Sequence, residues 1–463
     1  MKQGQKLEPL GWPLVRLALV LVLGGLAPLL DTTVASVALH TLAGRFHVGV
    51  ASIQWVTTAY LLALAVTIPV SGWMTDRFGG KQVWISSLVL FTAGSALSGL
   101  AWNFASLVAF RALQGAAAGL ITPLVQTMLV RAAGREKLGR VITIATIVTL
   151  FPPIVGPVVA GAILANATWR WIFYVNVPIC LAAIILAWII VPRPAARPQG
   201  QGPRRLDVPG FLLLSPALVA ILYGLSQAAS GSGFADPSAF APLAAGAILA
   251  AGYLRYSLRR PGWSLVDLRL FAIRSFGTAG GVLFFSGLSL YAAMFLLPLY
   301  YQEVRGADAL AAGLLLAPQG LGALLSRPLG PLVDKIGARR IVLTCSVLCA
   351  LGTVPYVFAG PRTSEVLLGC ALVVRGFGLS GANIAVVTGA FRDVPPAAVP
   401  DAATITRILQ QVGGSFGTAA LAVILATGAG TTVSAFHVAF GWAVALTALA
   451  LIPALLMPAA QRR

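Results

Sequence analysis

The stretch Gly72-Trp-Met-Thr-Asp76-Arg77-Phe-Gly79-Gly80-Lys81 returns 258 residues later as Gly330-Pro-Leu-Val-Asp334-Lys335-Ile-Gly337-Ala338-Arg339. Both copies read Gly-x3-Asp-Arg/Lys-x-Gly-x-Lys/Arg, and both stand in short polar breaks between long apolar stretches. Two matching loops in corresponding places mark a duplicated chain. The second copy carries Lys335 where the first has Arg77, which keeps the charge and loses the bidentate fork.

The surroundings of those loops set the solvent. Of 463 residues, 58% are hydrophobic and only 10% are charged, and the mean hydropathy is +0.89. A soluble domain carries about 25% charged residues, so there is too little polar surface here to wrap two or three water-soluble cores. Apolar stretches long enough for a ~30 Å hydrocarbon core fall at about 14–39, 54–74, 82–101, 105–130, 138–164, 170–191, 209–229, 238–257, 274–300, 309–331, 340–359, 364–389, 402–427 and 437–458. They predict an all-α integral membrane protein with fourteen transmembrane helices. The first stretch, after Lys2, Lys6 and Arg16, runs on past Asp31 without a convincing cleavage site and is kept as a span.

The net charge of +19 suggests nucleic acid only if the basic residues form one surface. They do not. With both termini cytoplasmic, 25 of the 32 Lys and Arg residues fall on the inner side, four on the outer side, and Arg111, Arg375 and Arg407 lie within spans. This bias fixes the orientation and requires an even number of spans. No nucleic-acid partner is implied; the partner is the lipid bilayer. The four cysteines lie in apolar runs without metal-ligand spacing, and His40, His47 and His437 show none either, so no metal or cofactor is expected.

The first loop follows span 2 and its echo follows span 10, a shift of eight rather than six, which predicts two helices inserted between six-helix halves. The expected organisation is an N-terminal bundle over 1–192, a linker plus two extra helices over 193–263, and a C-terminal bundle over 264–463. The linker, Pro192 to Arg205, is rich in Pro, Gly and Arg and too polar to cross.

These residues resemble a known family. The Gly72–Lys81 loop and its echo are similar to the signature loop of the major facilitator superfamily. The segments Leu30-Asp31-Thr32-Thr33-Val34, Gln54-Trp55-Val56-Thr57-Thr58-Ala59-Tyr60 and Trp169-Arg-Trp-Ile-Phe-Tyr-Val-Asn176-Val-Pro178, with fourteen spans in a 6+2+6 arrangement, resemble drug:proton antiporter family 2, the EmrB/QacA-like exporters. The resemblance implies the major facilitator fold, spans 1 and 4 as neighbours, and a proton-relay role for Arg111. Pro152-Pro153-Ile-Val-Gly156-Pro157-Val-Val-Ala-Gly161 resembles the antiporter motif, which implies a hinge and seal against the other half at Pro153, Gly156, Pro157 and Gly161; an ordinary kinked packing helix is the plainer reading.

Asp31 is the one acid well inside a span, and a carboxylate at membrane depth costs roughly 2.5–3.5 kcal/mol on insertion scales. Asp31 and Arg111 sit at similar depth, ~9–12 Å below the outer boundary, and are expected to pair directly, through Gln114 or through water. The pair serves either proton coupling or a static ion pair. Asp76 and Arg77, with Gly72, Gly79 and Lys81, form an inter-helix latch or a merely topogenic loop, and Gly330, Asp334, Lys335, Gly337 and Arg339 repeat it. Arg375 and Arg407 either bind helix-end carbonyls, line a water-filled cavity or repel protons, and Arg407 could also snorkel to the inner face. Gly376-x-Gly378-x-x-Gly381 lies inside an apolar span, so packing explains it better than a nucleotide. No ATPase loop or polar catalytic cluster is present, so an enzyme is not expected.

The leading expectation is therefore a proton-coupled antiporter, working as a monomer in the inner membrane and exporting amphipathic or cationic drugs or antibiotics by alternating access. Asp31, Tyr60, Gln114, Gln126, Gln319 and Asn383 are the candidate polar contacts of its cavity. A dedicated exporter of one metabolite or self-made antibiotic is the second reading. A non-transporting membrane receptor or scaffold is the third.

Overall fold

In a computed structural model, residues 11–48, 50–53, 55–148, 152–192, 206–229, 233–260, 263–427 and 431–458 are described. Every described regular element is helical. The chain opens with α1 (Trp12–Phe46), α2 (Val50–Ile53) and α3 (Trp55–Thr67), and a 3-10 turn at Ile68–Val70 then leads into α4 (Ser71–Phe78). Pro69 has no N–H to continue the helix ladder, which accounts for the tightened turn inside span 2. Next come α5 (Gly80–Gly99), α6 (Phe104–Val148), α7 (Pro152–Asn166), α8 (Trp171–Tyr174) and α9 (Asn176–Ile190). Gly134 breaks α6 with φ of 61°. Two helices, α10 (Val208–Gln227) and α11 (Pro237–Arg259), lead to α12 (Arg274–Leu299), α13 (Ala309–Leu315), α14 (Ala317–Leu325), α15 (Leu329–Ile336) and α16 (Ala338–Val357). The chain ends in α17 (Glu365–Phe391), α18 (Val399–Thr427), α19 (Thr432–Leu449) and α20 (Leu451–Leu456).

Several of the scarce acids start helices. Asp207, Asp236 and Asp308 accept from backbone N–H groups of the first turns of α10, α11 and α13, satisfying donors that a helix start leaves orphaned. Asp207 also accepts from the Tyr256 hydroxyl at 2.5 Å and the Leu265 N–H at 2.8 Å, pinning α10 to α11 and to the chain beyond it.

Among the described residues, twelve helices are long and apolar enough to cross a membrane. They match all of the expected fourteen except the fifth and tenth. The fifth falls on the end of α6, on α7 and on residues 149–151, which lie outside the described residues. The tenth is divided between α13 and α14, leaving a shorter apolar stretch at Ala311–Leu325, with Pro318 in the first turn of α14.

The duplication is visible in packing. Helix α6 packs on α1, α3 and α5, and α17 packs on α12, α14 and α16. A Cβ at Gly115 would lie 2.1 Å from the Tyr60 carbonyl, and one at Gly376 would lie 2.0 Å from the Gln319 carbonyl. The same backbone-to-backbone approach thus joins α6 to α3 and α17 to α14. It also explains the Gly376–Gly381 pattern as packing, since Gly378 lies equally close to Cys345 and Cys349 on α16. The two sets of helices meet where α4 and α6 touch α18, α15 and α17 touch α6, and α13 touches α7. Helix α10 rests on both α3 and α18, and α11 packs against α10.

Gly79 and Gly337 end α4 and α15 with nearly identical backbones, φ 88° with ψ 145° and φ 88° with ψ 147°. That region is essentially reserved for glycine, and another residue there is strained by about 1–3 kcal/mol. Gly79→Ala and Gly337→Ala are each expected to lower thermal stability by an amount in that range, read by tryptophan fluorescence of purified protein. Gly360→Ala, where a Cβ meets nothing within 4 Å, is the neutral control; equal melting of all three would refute the strain.

Candidate functional site

Asp31 is 1% exposed and Arg111 is 0% exposed, and they form an ion pair between α1 and α6 with Arg111 Nη1 2.5 Å from Asp31 Oδ2. Gln114 Nε2 and Asn176 Nδ2 each donate to Asp31 Oδ1 at 2.8 Å. Both also reach Ser95 Oγ, which donates to the Phe173 carbonyl. Arg111 further donates from Nε to the Val56 carbonyl at 3.1 Å and from Nη1 to Gln114 Oε1 at 2.7 Å. Its guanidinium lies over the Tyr60 ring, 4.4 Å from the centroid, a favourable cation–π placement. Every side-chain contact on the Asp31 carboxyl is a donor, so the cluster is shaped for a carboxylate. It ties together α1, α3, α5, α6, α8 and α9.

A separate cavity of about 190 Å³ lies between the two sets of helices. Thr32, Thr33 and Leu29 of α1 line it together with Thr122, Gln126, Tyr291, Ser380, Asn383, Arg407 and Gln410. Of the six polar residues expected there, Gln126 and Asn383 line it. Asp31, Tyr60 and Gln114 do not, because they are sealed in the ion-pair cluster, and Gln319 does not, because it accepts from Arg375 at 3.0 Å. Arg407, left between four readings by sequence, lines the cavity and is its one charged lining residue among the described residues. Among the described residues, no carboxylate lines it to attract a cation.

At the loop end, Asp76 accepts from Arg131 of α6 at 3.2 Å. Both side chains are substantially exposed, so this pair adds little stability. Lys81 donates to the Trp188 and Val191 carbonyls at 2.7 Å each and so caps the end of α9. Contact across the halves is made by Ser71 with Thr404 at 3.1 Å, by Gln126 with Thr406 at 3.2 Å, and by Gly72, where a Cβ would stand 3.3 Å from Asp401 Oδ1. In the second copy, Gly330, Lys335 and Arg339 belong to α15, α15 and α16, and the Asp334 side chain lies outside what is described.

The expected hinge helix is α7. A Cβ at Gly156 would lie 2.1 Å from Thr33 Oγ1, so this glycine packs on α1 within its own half, not on the other half as expected. A Cβ at Gly161 meets nothing within 4 Å. Contact between α7 and the other half is through α13. The Pro153 and Pro157 side chains lie outside what is described.

A buried ion pair, a central cavity and paired glycine loops in duplicated helical halves agree with what the sequence itself matches: residues 21–418 fit the family model described as Major Facilitator Superfamily. The chain belongs to the major facilitator superfamily. It is 36% identical over 429 residues to Multidrug resistance protein B homolog of Mycobacterium tuberculosis, covering 92% of this chain and 79% of that one. Over 420 residues it is 29% identical to Multidrug export protein EmrB of Haemophilus influenzae, covering 89% and 81%. Lincomycin resistance protein LmrB of Listeria monocytogenes is 27% identical over 428 residues, covering 92% and 88%. The fold is also that of the proton:xylose symporter XylE, with a TM-score of 0.65 at 16% identity over 96% of this chain and 95% of that one. The human organic anion transporter MFSD10 gives a TM-score of 0.65 at 15% identity, covering 96% and 100%. This chain is a multi-pass membrane transporter of the superfamily and not an enzyme.

The transporter's second half echoes the cluster without its acid. Ser289 stands 258 residues after Asp31, and its carbonyl accepts from Arg375 Nη2 at 2.8 Å. Arg375 is 2% exposed and its Nε has no hydrogen-bond partner. Asn176 and Ser95 were not singled out as site residues from sequence; Asn176 stands in the Trp169–Pro178 segment, but an uncharged amide in an apolar run gives no depth or charge signal.

Removing one partner of a buried charge pair costs about 3–5 kcal/mol, because the other is left uncompensated. Arg111→Gln is expected to destabilise the transporter by that order in thermal unfolding, and adding Asp31→Asn should recover at least half of the loss. A neutral single variant would count against the pair as a structural tie. Gly156→Leu is expected to reduce transport at normal membrane abundance through collision with Thr33, whereas Gly161→Leu should be tolerated; the reverse order would overturn this reading of α7.

Proposed function

We propose that this transporter is a proton-coupled exporter of amphipathic drug-like molecules that works by alternating access. One observation carries the reading: consecutive residues of one helix face two sites, with Asp31 bonded to Arg111 in the sealed cluster and Thr32 and Thr33 lining the cavity. Protonating Asp31 would remove the charge that holds Arg111 to α1 while leaving Arg111 bonded to the Val56 carbonyl and Gln114. Helix α1 would then be free to shift against α6, and the cavity wall would shift with it. The names of the relatives, Multidrug resistance protein B homolog and EmrB, support drug export.

In this proposal the chain crosses the membrane fourteen times, with α7 and the α13–α14 pair as the two crossings made with shorter helices. The six-helix bundles at 1–192 and 264–463 rock about the cavity, and 193–263 adds the linker and the two extra helices. Both termini face the cytoplasm, and the protein acts as a monomer. The Ser71–Thr404 and Gln126–Thr406 contacts are the bonds that inward opening must break. A cavity of about 190 Å³ is small beside the roughly 300–1,000 Å³ of drug pockets, which favours a dedicated exporter of one metabolite or antibiotic as the second reading. A resistance panel separates the two by breadth. A receptor or scaffold would leave the duplicated loops and the buried pair without a purpose.

Reconstituted in liposomes under an imposed pH gradient, the wild-type protein should move substrate and protons in opposite directions. Asp31→Asn should abolish proton-driven flux while the protein still reaches the membrane and folds. Unchanged, pH-dependent transport by that variant would overturn the coupling role.

A further inference from the structure

The cavity has a sign. Among the described residues its lining includes Arg407 and no carboxylate, and the acids nearest in sequence or function are engaged elsewhere. Asp31 is held by Arg111, Gln114 and Asn176. Asp401 lies six residues before Arg407 on α18, ~9 Å along the helix axis, where its carboxylate stands against Gly72 at the loop end. A guanidinium carries five N–H donors and accepts nothing. The described partner of Arg407 is Gln410, whose Oε1 accepts from Nη1 at 3.2 Å. Gln410 in turn donates to Asn383, and Asn383 to Ser286, so the guanidinium is held at one end of a polar chain. Leu29 from α1 and Leu290 and Met294 from α12 supply an apolar wall of the same cavity. Low-dielectric walls strengthen the field of a single fixed charge and raise the local concentration of the opposite charge.

We propose that the cavity takes amphipathic organic anions, with Arg407 as the fixed counter-charge for a carboxylate or sulfonate and the apolar wall as the bed for an aromatic body. A planar guanidinium fits such groups bidentately. A cationic amphiphile meets the same walls with an unbalanced like charge. The inference rests on the reading of this cavity as the transport site, and it replaces the expectation of cationic substrates. Gln410 is a positioning residue that orients the guanidinium.

The test is binding of two probes of matched shape and opposite charge, 2-naphthalenesulfonate and 2-naphthyltrimethylammonium. Each is titrated calorimetrically into the full-length protein in phosphatidylcholine nanodiscs, against empty nanodiscs. A charge-assisted contact predicts that the sulfonate binds at least about tenfold more tightly than the ammonium. Arg407→Gln should remove that preference, and Arg407→Lys should retain most of it. Gln410→Glu, which supplies a carboxylate beside an intact Arg407, should also collapse the preference, so the result does not hang on one substitution. Equal or tighter ammonium binding, absence of sulfonate binding, or an unchanged preference in Arg407→Gln would overturn the proposal. Flux in liposomes is scored separately. If the Arg407-dependent preference holds but neither probe moves under a pH gradient, the transport reading fails and this one stands; if the ammonium is both preferred and transported, this one fails alone.

Discussion

The Asp31 carboxylate is the constraint around which the first half is built. A charge cannot be left bare at that depth, and its neutralisation has drawn donors from α6 and α9 onto α1. Those donors are themselves tied to the Val56 and Phe173 carbonyls through Arg111 and Ser95. The cluster therefore fixes the relative height of several helices at once, which apolar packing in a bilayer does poorly because lipid tails compete for the same contacts. The glycines supply the complementary requirement. Gly115 and Gly119 bring α6 onto the backbone of α3, and Gly94 brings α5 onto α6 at Gln114, close enough for short side chains to meet.

The second half keeps the geometry and drops the charge. Gly352 and Gly376 hold α17 against α16 and α14 much as their counterparts do, yet Ser289 stands where the acid would be and Arg375 turns to a carbonyl and an amide oxygen. A duplicated fold thus carries an unequal division of chemistry. The titratable carboxylate belongs to the first half, while Arg407, from the second half, gives the shared cavity its charge.

Much of this was legible in the sequence because membranes simplify the code. Long apolar stretches, the skewed distribution of Lys and Arg, and the paired glycine loops each have one dominant physical cause, and the Asp31–Arg111 pairing followed from matching depth once the family resemblance made spans 1 and 4 neighbours. The parts that were not legible depend on which face of a helix a residue occupies. Asp31 and Thr32 differ by about 100° of helix rotation, so the acid lies in the sealed cluster while its neighbour reaches the cavity, and hydropathy does not register that turn. The same blindness placed Tyr60, Gln114 and Gln319 in the cavity. It also gave Gly156 a seam with the second half, where Thr33 fills the space. The stretch divided between α13 and α14 shows a different limit: apolar composition continued across Leu316, but the α-helix broke there, two residues before Pro318.

The turn of α1 that carries Asp31, Thr32 and Thr33 touches the ion-pair cluster, the cavity and, through Thr33, the close approach at Gly156. Such a junction limits how this lineage can diversify. A substitution at Thr32 or Thr33 that reshapes the cavity also disturbs the seat of the carboxylate or of α7, so changes of specificity are penalised on that side. The facing wall, supplied by α12, α17 and α18, carries no carboxylate among its described residues. It can vary its side chains with fewer consequences for the ion pair, and descendants with new substrates should carry their differences there.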